Sequence, residues 1–226
     1  MDNAAGDLPA DYYLKGQKVL VTLEEQIDPK HTALIVIDVQ NDYIYGKGNT
    51  SAPPGRTDPR QEMLKPLNSF IDKCRSMSIP VIYTFTVHAG DLDLPPYKAP
   101  KIRTNTAPVC MRGTRGGEFP DKLNKPLPGE PVVTKHGYDA FMDHDLHTIL
   151  QNRGIKTLIF TGIDTGICVD STLRHGFHLG YYVVLAENAT VASDAARHAA
   201  ACKLIGAYYG FITSTSEIEQ IWDRVK

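Results

Sequence analysis

Three residues whose side chains can do chemistry together stand at the ends of apolar runs. Asp38 closes Ala33-Leu34-Ile35-Val36-Ile37, and Lys135 closes Pro131-Val132-Val133-Thr134. Cys168 follows Thr157-Leu158-Ile159-Phe160-Thr161 by way of Gly162-Ile163-Asp164-Thr165-Gly166-Ile167. A thiol can attack a carbonyl carbon, a carboxylate can take its proton, and an ammonium can keep that carboxylate ionised and in place. Cys168 also stands where a buried strand hands over to a helical pattern. Unpaired N–H groups and the helix dipole at such a point favour a thiolate. The three residues are far apart in sequence, so the fold must bring them together.

The elements that would do so alternate along the chain. The run ending at Asp38 is a strand buried on both faces. Met63, Leu67, Phe70 and Ile71 recur at helical spacing, with Pro66 marking a bend or the helix start. Pro80 to Val87 is a second strand and Pro131 to Thr134 a third. A helix around Leu146, Ile149 and Leu150 stops near Gly154. After the fourth strand, Thr157 to Thr161, residues Val169, Leu173 and Phe177 give a helix one apolar face, ended by Gly180. Tyr181 to Leu185 is a fifth strand, and an alanine-rich helix from Ala195 to Ala207 follows. Phe211 to Thr213 is a sixth strand, and Ile218 to Val225 a last helix. Apolar strands alternating with helices predict an α/β fold of three layers: a doubly wound, six-stranded parallel sheet with helices on both faces. Residues 1–30 read as an N-terminal extension and 31–226 as a single domain, with no repeat or linker. Ligands of such sheets bind beyond the carboxyl ends of the strands, where the strand order reverses. Asp38, Lys135 and Cys168 lie at or just past such ends. Gly90 to Gly129, rich in proline, glycine and arginine and without a period, reads as a long functional loop.

Composition narrows the partners. The 226 residues are 42% hydrophobic and 22% charged, with a net charge of -2. That size suits one domain with a substantial core, and that charge gives no basis for a nucleic-acid partner or an anionic membrane surface. No apolar run approaches the ~20 residues of a membrane span. Met1 to Lys18 is polar and acidic, unlike a secretory signal. Cys74, Cys110, Cys168 and Cys202 match no zinc spacing, and the chain reads as reduced and cytoplasmic.

The motifs around these residues resemble those of the isochorismatase-like cysteine hydrolases. Ala33 to Asp42 is similar to their first strand and acid motif. Val132-Val133-Thr134-Lys135 with Tyr138-Asp139-Ala140-Phe141 resembles their lysine segment, and Gly162 to Thr172 their nucleophile loop. The likeness runs from about Thr32 to Ile218, in family order. It implies an Asp38–Lys135–Cys168 triad and a cis peptide at Ile163–Asp164, with backbone N–H groups near Asp164 and Cys168 receiving an oxyanion. Isochorismatase itself cleaves a vinyl ether without a cysteine nucleophile, so Cys168 favours the amidase branch. The metal pattern of nicotinamidases is not reproduced at Thr86 to Asp93, and no metal or other cofactor is expected. Ser171 to Leu179 is similar to ureidoacrylate amidohydrolases, and Asp91 to Pro96 with Lys98 to biuret and triuret hydrolases. N-carbamoylsarcosine amidase belongs to the same branch. A small ureido, carbamoyl or amide substrate is therefore expected, with a nicotinamidase-like or isochorismatase-type hydrolase, or a non-catalytic binding protein on the same fold, as alternatives. The family also implies a homodimer or homotetramer. Leu92, Leu94, Tyr97, Ile102 and Val109 supply apolar residues that one domain need not bury completely.

Further residues are candidates for the pocket. Tyr43, His88, Tyr138 and Phe141 flank the motif strands. Arg112, with Arg103 and Arg115, could grip a substrate carboxylate as a fork. Asp143, His144, Asp145 and His147 read as a capped helix start rather than a metal site.

Overall fold

A computed structural model describes Gly16 and residues 18–46, 58–142 and 145–224. Asp143 and His144 of the helix-start motif lie outside the described residues, as do Val225 and most of the N-terminal extension. In chain order the elements are α1 (Leu23–Gln26), β1 (Thr32–Ile37), α2 (Asn41–Tyr45), α3 (Pro59–Glu62), α4 (Leu64–Ser76), β2 (Val81–Thr86), α5 (Pro95–Arg103), β3 (Val132–Lys135), α6 (Asp145–Asn152), β4 (Thr157–Ile163), α7 (Asp170–His178), β5 (Tyr182–Val191), α8 (Ala195–Tyr208), β6 (Phe211–Thr213) and α9 (Thr215–Arg224). The strands form one all-parallel sheet in the order β3-β2-β1-β4-β5-β6. The chain winds outward from β1 in one direction and from β4 in the other. The order therefore reverses between β1 and β4, and a crevice opens at their carboxyl ends.

Period-two alternation divides the buried strand residues between two cores. Leu34, Val36, Val81, Tyr83, Ile159 and Val184 face α4 and α9; Ala33, Ile35, Ile37, Ile82, Leu158 and Phe160 face α6, α7 and α8. Of the stripe read from the sequence, α4 buries Leu67, Phe70 and Ile71, with Met63 buried at its cap, and it adds Leu64 and Cys74. Pro66 sits in its first turn, where backbone N–H groups have no intrahelical partner to lose. Trp222 of α9 stacks on Phe70 at 5.5 Å, and its indole N–H donates to Ile27 O at 2.7 Å. The described part of the N-terminal extension is thereby packed: Leu20 and Ile27 are buried, and Gln26 Nε2 donates to Leu20 O.

Three element readings are corrected. Gly90 to Gly129 is not without structure, since it contains α5 and a single turn at Arg115–Gly117, and His88 bridges to Met111. β4 runs on to Ile163, and β5 continues through the polar Glu187-Asn188 to Val191. No helix of the described residues is long and apolar enough to cross a membrane. Leu94, which precedes α5, and Ile102 within it are exposed.

Candidate active site

Each of the three sequence-selected residues reaches the crevice by a different device. Asp38 follows β1 with φ at +49°, in the left-handed region that aspartate tolerates better than most residues. There its carboxylate meets the next strand. Oδ1 accepts from Thr84 Oγ1 at 2.6 Å, and the same hydroxyl accepts from Asp38 N at 3.1 Å. Lys135 ends β3, two strands away, or roughly 10 Å across the sheet. Its long stem spans that gap and puts Nζ 2.6 Å from Asp38 Oδ2 and 2.7 Å from Gly137 O. Both side chains are fully buried. Among the described residues Oδ2 has no hydrogen-bond partner other than that ammonium.

Cys168 comes from the loop after β4. Gly162 lies against Ile37 of β1 with φ at +105°, and a Cβ there would overlap the Ile37 backbone. Only glycine lets the two strand ends approach so closely. The Ile163–Asp164 peptide is cis. Asp164 then caps a π-helical turn, Thr165–Val169, accepting from Gly166 N through Oδ1 and from Ser193 N through Oδ2. Its carbonyl accepts from Ile167 N and Val169 N. Thr172 Oγ1 donates to Cys168 O at 2.8 Å and accepts from Ala140 N, tying the loop to the segment after Lys135.

The electrostatics of the three side chains are coupled. Burial alone would pull the Lys135 ammonium down, but Asp38, helped by Cys168, outweighs it and holds the group above the usual lysine range. Burial pushes the Cys168 thiol well up, Lys135 pulls against it, and Asp38 pushes further up. This corrects the thiolate expected at a helix start. Cys168 lies inside the π-turn that precedes α7 and is buried, and desolvation of the charged form outweighs the favourable helix terminus. Burial thus favours the neutral thiol over the thiolate.

A cavity of about 540 Å³ lies over Cys168. Its floor is Ile163, Asp164, Ile167 and Cys168; Val191, Ala192 and Ser193 form one side, and Thr106 to Val109 with Lys101 another. Tyr43, His88 and Tyr138 line it, as the sequence suggested. His88 is fixed by Asp93 Oδ1 at 2.8 Å from Nδ1, and Tyr138 meets Tyr97 edge-on at 5.2 Å. The Tyr43 hydroxyl is pushed well above its ordinary range by burial and by Cys168 and Cys110 beside it. Two candidates are corrected. Phe141 belongs to the core, packed on Tyr181 at 6.0 Å and against Gly176, where its apolar ring is buried. Arg112 is exposed and held outside by Asp91 at 3.3 Å, and Arg103 and Arg115 are likewise exposed and off the cavity wall. The cations on the wall are instead Arg60 and Lys101, neither of which carried a motif signal. Val191 to Ser193 were also missed, because the polar pair in β5 concealed where that strand ends. No cluster of three or more His, Cys, Asp or Glu suited to a metal occurs among the described residues.

A doubly wound parallel sheet that gathers an acid, a lysine and a cysteine under a small-molecule cavity at its switch point defines an α/β protein with the parts of a nucleophilic hydrolase. The chain belongs to the isochorismatase family of hydrolases, whose domain pattern matches residues 32–217. Among its relatives, the ureidoacrylate amidohydrolase of Pseudomonas savastanoi pv. phaseolicola is 33% identical over 85% of this chain and 84% of its own. That of an Enterobacter species is 32% identical over 84% and 88%. Among solved structures, a cysteine hydrolase from Pseudomonas syringae pv. phaseolicola superposes with a TM-score of 0.75 at 26% identity, covering 91% of this chain and 98% of the other. N-carbamoylsarcosine amidase from Thermoplasma acidophilum gives 0.66 at 27%, covering 82% and 96%.

Proposed function

We propose that this protein is a cysteine-dependent amidohydrolase that cleaves a C–N bond of a small ureido, carbamoyl or amide compound. The observation that carries the reading is the fully buried Asp38–Lys135 pair at 2.6 Å, its Oδ2 otherwise without a donor, coupled to the Cys168 thiol on the cavity floor. The 32–33% identity to ureidoacrylate amidohydrolases over most of the chain supports the substrate class.

The reaction runs in two halves. Cys168 Sγ attacks the carbonyl carbon as its proton passes to Asp38. The oxyanion is received by backbone N–H groups near Asp164 and Cys168, as the family resemblance implies; those of Gly166, Ile167 and Val169 are already bonded to Asp164. Such donors contribute about 3 kcal/mol each in comparable sites. The C–N bond then breaks, and Asp38 returns the proton to the departing nitrogen, which leaves as ammonia or an amine. Water attacks the remaining thioester, giving one proton to Asp38. The C–S bond breaks, and Asp38 reprotonates the thiol. Lys135 stays paired with Asp38 between these steps, its Nζ 2.6 Å from Oδ2. The exposed Leu94 and Ile102 support assembly as a homodimer or homotetramer.

Ammonia release is measured against ureidoacrylate, N-carbamoyl amino acids, biuret, triuret and nicotinamide. Turnover of at least one ureido compound is expected, with Cys168→Ala slower by roughly a thousandfold or more. A Cys168→Ala protein with wild-type turnover rules the mechanism out.

A further inference from the structure

The charged residues on the cavity wall are not equally available to a ligand. The Asp42 carboxylate accepts from Cys110 N at 2.7 Å, and that of Asp164 is used by two backbone N–H groups. Arg60 is matched by Asp58, whose two oxygens lie 2.9 and 3.1 Å from its Nε. His88 is matched by Asp93. Lys101, in the last turn of α5, is the exception: among the described residues its ammonium has no hydrogen-bond or ion-pair partner. Its neighbour on the same helix, Lys98, donates to a neutral carbonyl, Gly90 O at 2.7 Å, rather than to a carboxylate. Lys98 and Lys101 both line a second cavity of about 600 Å³ that shares the Thr106–Pro108 wall with the first. The α5 side of the active-site cavity is thus its electropositive end, with Cys168 on the floor.

We infer that Lys101 reads a carboxylate on the substrate, so that the preferred substrates are ureido acids rather than neutral ureas or amides. This rests on the site acting as a ureido amidohydrolase. A carboxylate entering the cavity sheds part of its hydration, and that loss is recovered only where a counter-charge waits. A point-charge ammonium on a flexible stem can follow acids of different length, and a cavity of this volume suits a small linear molecule.

The test compares N-carbamoyl-β-alanine with its methyl ester, which differ in charge and little else in reach. The wild type is expected to prefer the acid. Lys101→Met is expected to lower the acid-to-ester ratio of kcat/KM at least tenfold, mainly through KM for the acid, and Lys101→Arg to restore most of it. An unchanged ratio in Lys101→Met overturns the inference. A second arm needs no turnover: calorimetry of Cys168→Ala with the acid and the ester, with and without Lys101→Met. If ammonia release fails for both compounds while acid binding still falls tenfold on Lys101→Met, the proposed activity is lost and the acid site stands. Equal affinities for acid and ester in both proteins overturn the acid site whatever the turnover. Binding of neither compound overturns both.

Discussion

Replacing Lys135 by methionine keeps most of the stem and removes only the ammonium. In the folded protein Asp38 would then be a fully buried carboxylate that retains Thr84 as a partner but loses the charge 2.6 Å from Oδ2. Removing one member of such a pair typically costs about 3–5 kcal/mol, because the surviving charge stays desolvated. With a urea slope of about 2–3 kcal/mol/M, the midpoint should fall by about 1–2.5 M at neutral pH. Asp38→Asn alone strands the ammonium in the same way and should cost a similar amount. The double variant Asp38→Asn/Lys135→Met leaves no buried charge. It should recover most of the lost stability, since exchanging a whole buried pair for neutral groups is often close to neutral. Activity separates from stability here, for the double variant should stay as inactive as either single one, having neither base nor counter-ion. Urea unfolding and ammonia release on the same four proteins read both quantities. Single variants within about 1 kcal/mol of the wild type, or a double variant whose losses simply add, would refute the view of a charge pair held dry for chemistry.

The titration of Cys168 gives a second prediction. Burial holds the thiol above its ordinary range, so without a base its thiolate fraction at neutral pH is small and grows tenfold per pH unit. Iodoacetamide labelling of Cys168 in Lys135→Met should be slower than in the wild type at pH 7, because the ammonium that pulls the thiol downward is gone; an unchanged or faster rate refutes that role of Lys135. Cys110, pushed up to about 12 by burial and by Asp42, and Cys202, pushed up to about 11 mainly by burial, should stay unlabelled in the wild type at that pH, as mass spectrometry of the peptides would show. Gly162→Ala should destabilise by more than about 2 kcal/mol in urea, because the new Cβ meets the Ile37 backbone at a positive φ; a smaller loss means that the strand ends are free to separate. Turnover should survive exhaustive dialysis against a chelator, since His88 Nδ1 is committed to Asp93 and the proposed steps use only Asp38, Lys135 and Cys168. Loss of activity followed by recovery with zinc would contradict this.

The catalytic candidates were legible because a parallel sheet writes its active end into the sequence. Each is a polar residue at the abrupt end of an apolar run, or one loop beyond it, and strand polarity then places all three on the same edge. Thr84 was not legible. Inside an apolar strand a threonine reads as a β-branched filler, and its role depends on Asp38 turning back with φ at +49°, which only the assembled sheet defines. α5 was hidden by Pro95, Pro96 and Pro100, although the first two occupy the opening turn, where the missing N–H groups cost nothing. Without α5, Lys101 is one charge among several in a segment without a period, no more prominent than Arg112, whose partner is the exposed Asp91. Phe141 was misplaced for a related reason. Proximity to a motif in sequence does not say which way a ring points, and the nearby Gly176 gives that ring room in the core.

The Cys168 environment shows which physical term a sequence leaves out. Motif and spacing identify a helix start, and a helix start favours an anion by up to about 1–2 kcal/mol. They do not report how deeply the thiol is buried, and burial reverses the sign. The consequence reaches the chemistry. A pre-formed thiolate would need no base for its first step, whereas a neutral buried thiol reacts only as its proton leaves. On the proposed mechanism the acceptor therefore has to be in place beforehand. Asp38 is so placed, held by the Thr84 hydroxyl at Oδ1 and by the Lys135 ammonium 2.6 Å from Oδ2. The same ammonium pulls the thiol downward and so narrows the gap that proton transfer must cross. On the proposed mechanism the lysine thus acts on both ends of one proton transfer, which is a physical reason for a residue two strands from Asp38 to belong to the site.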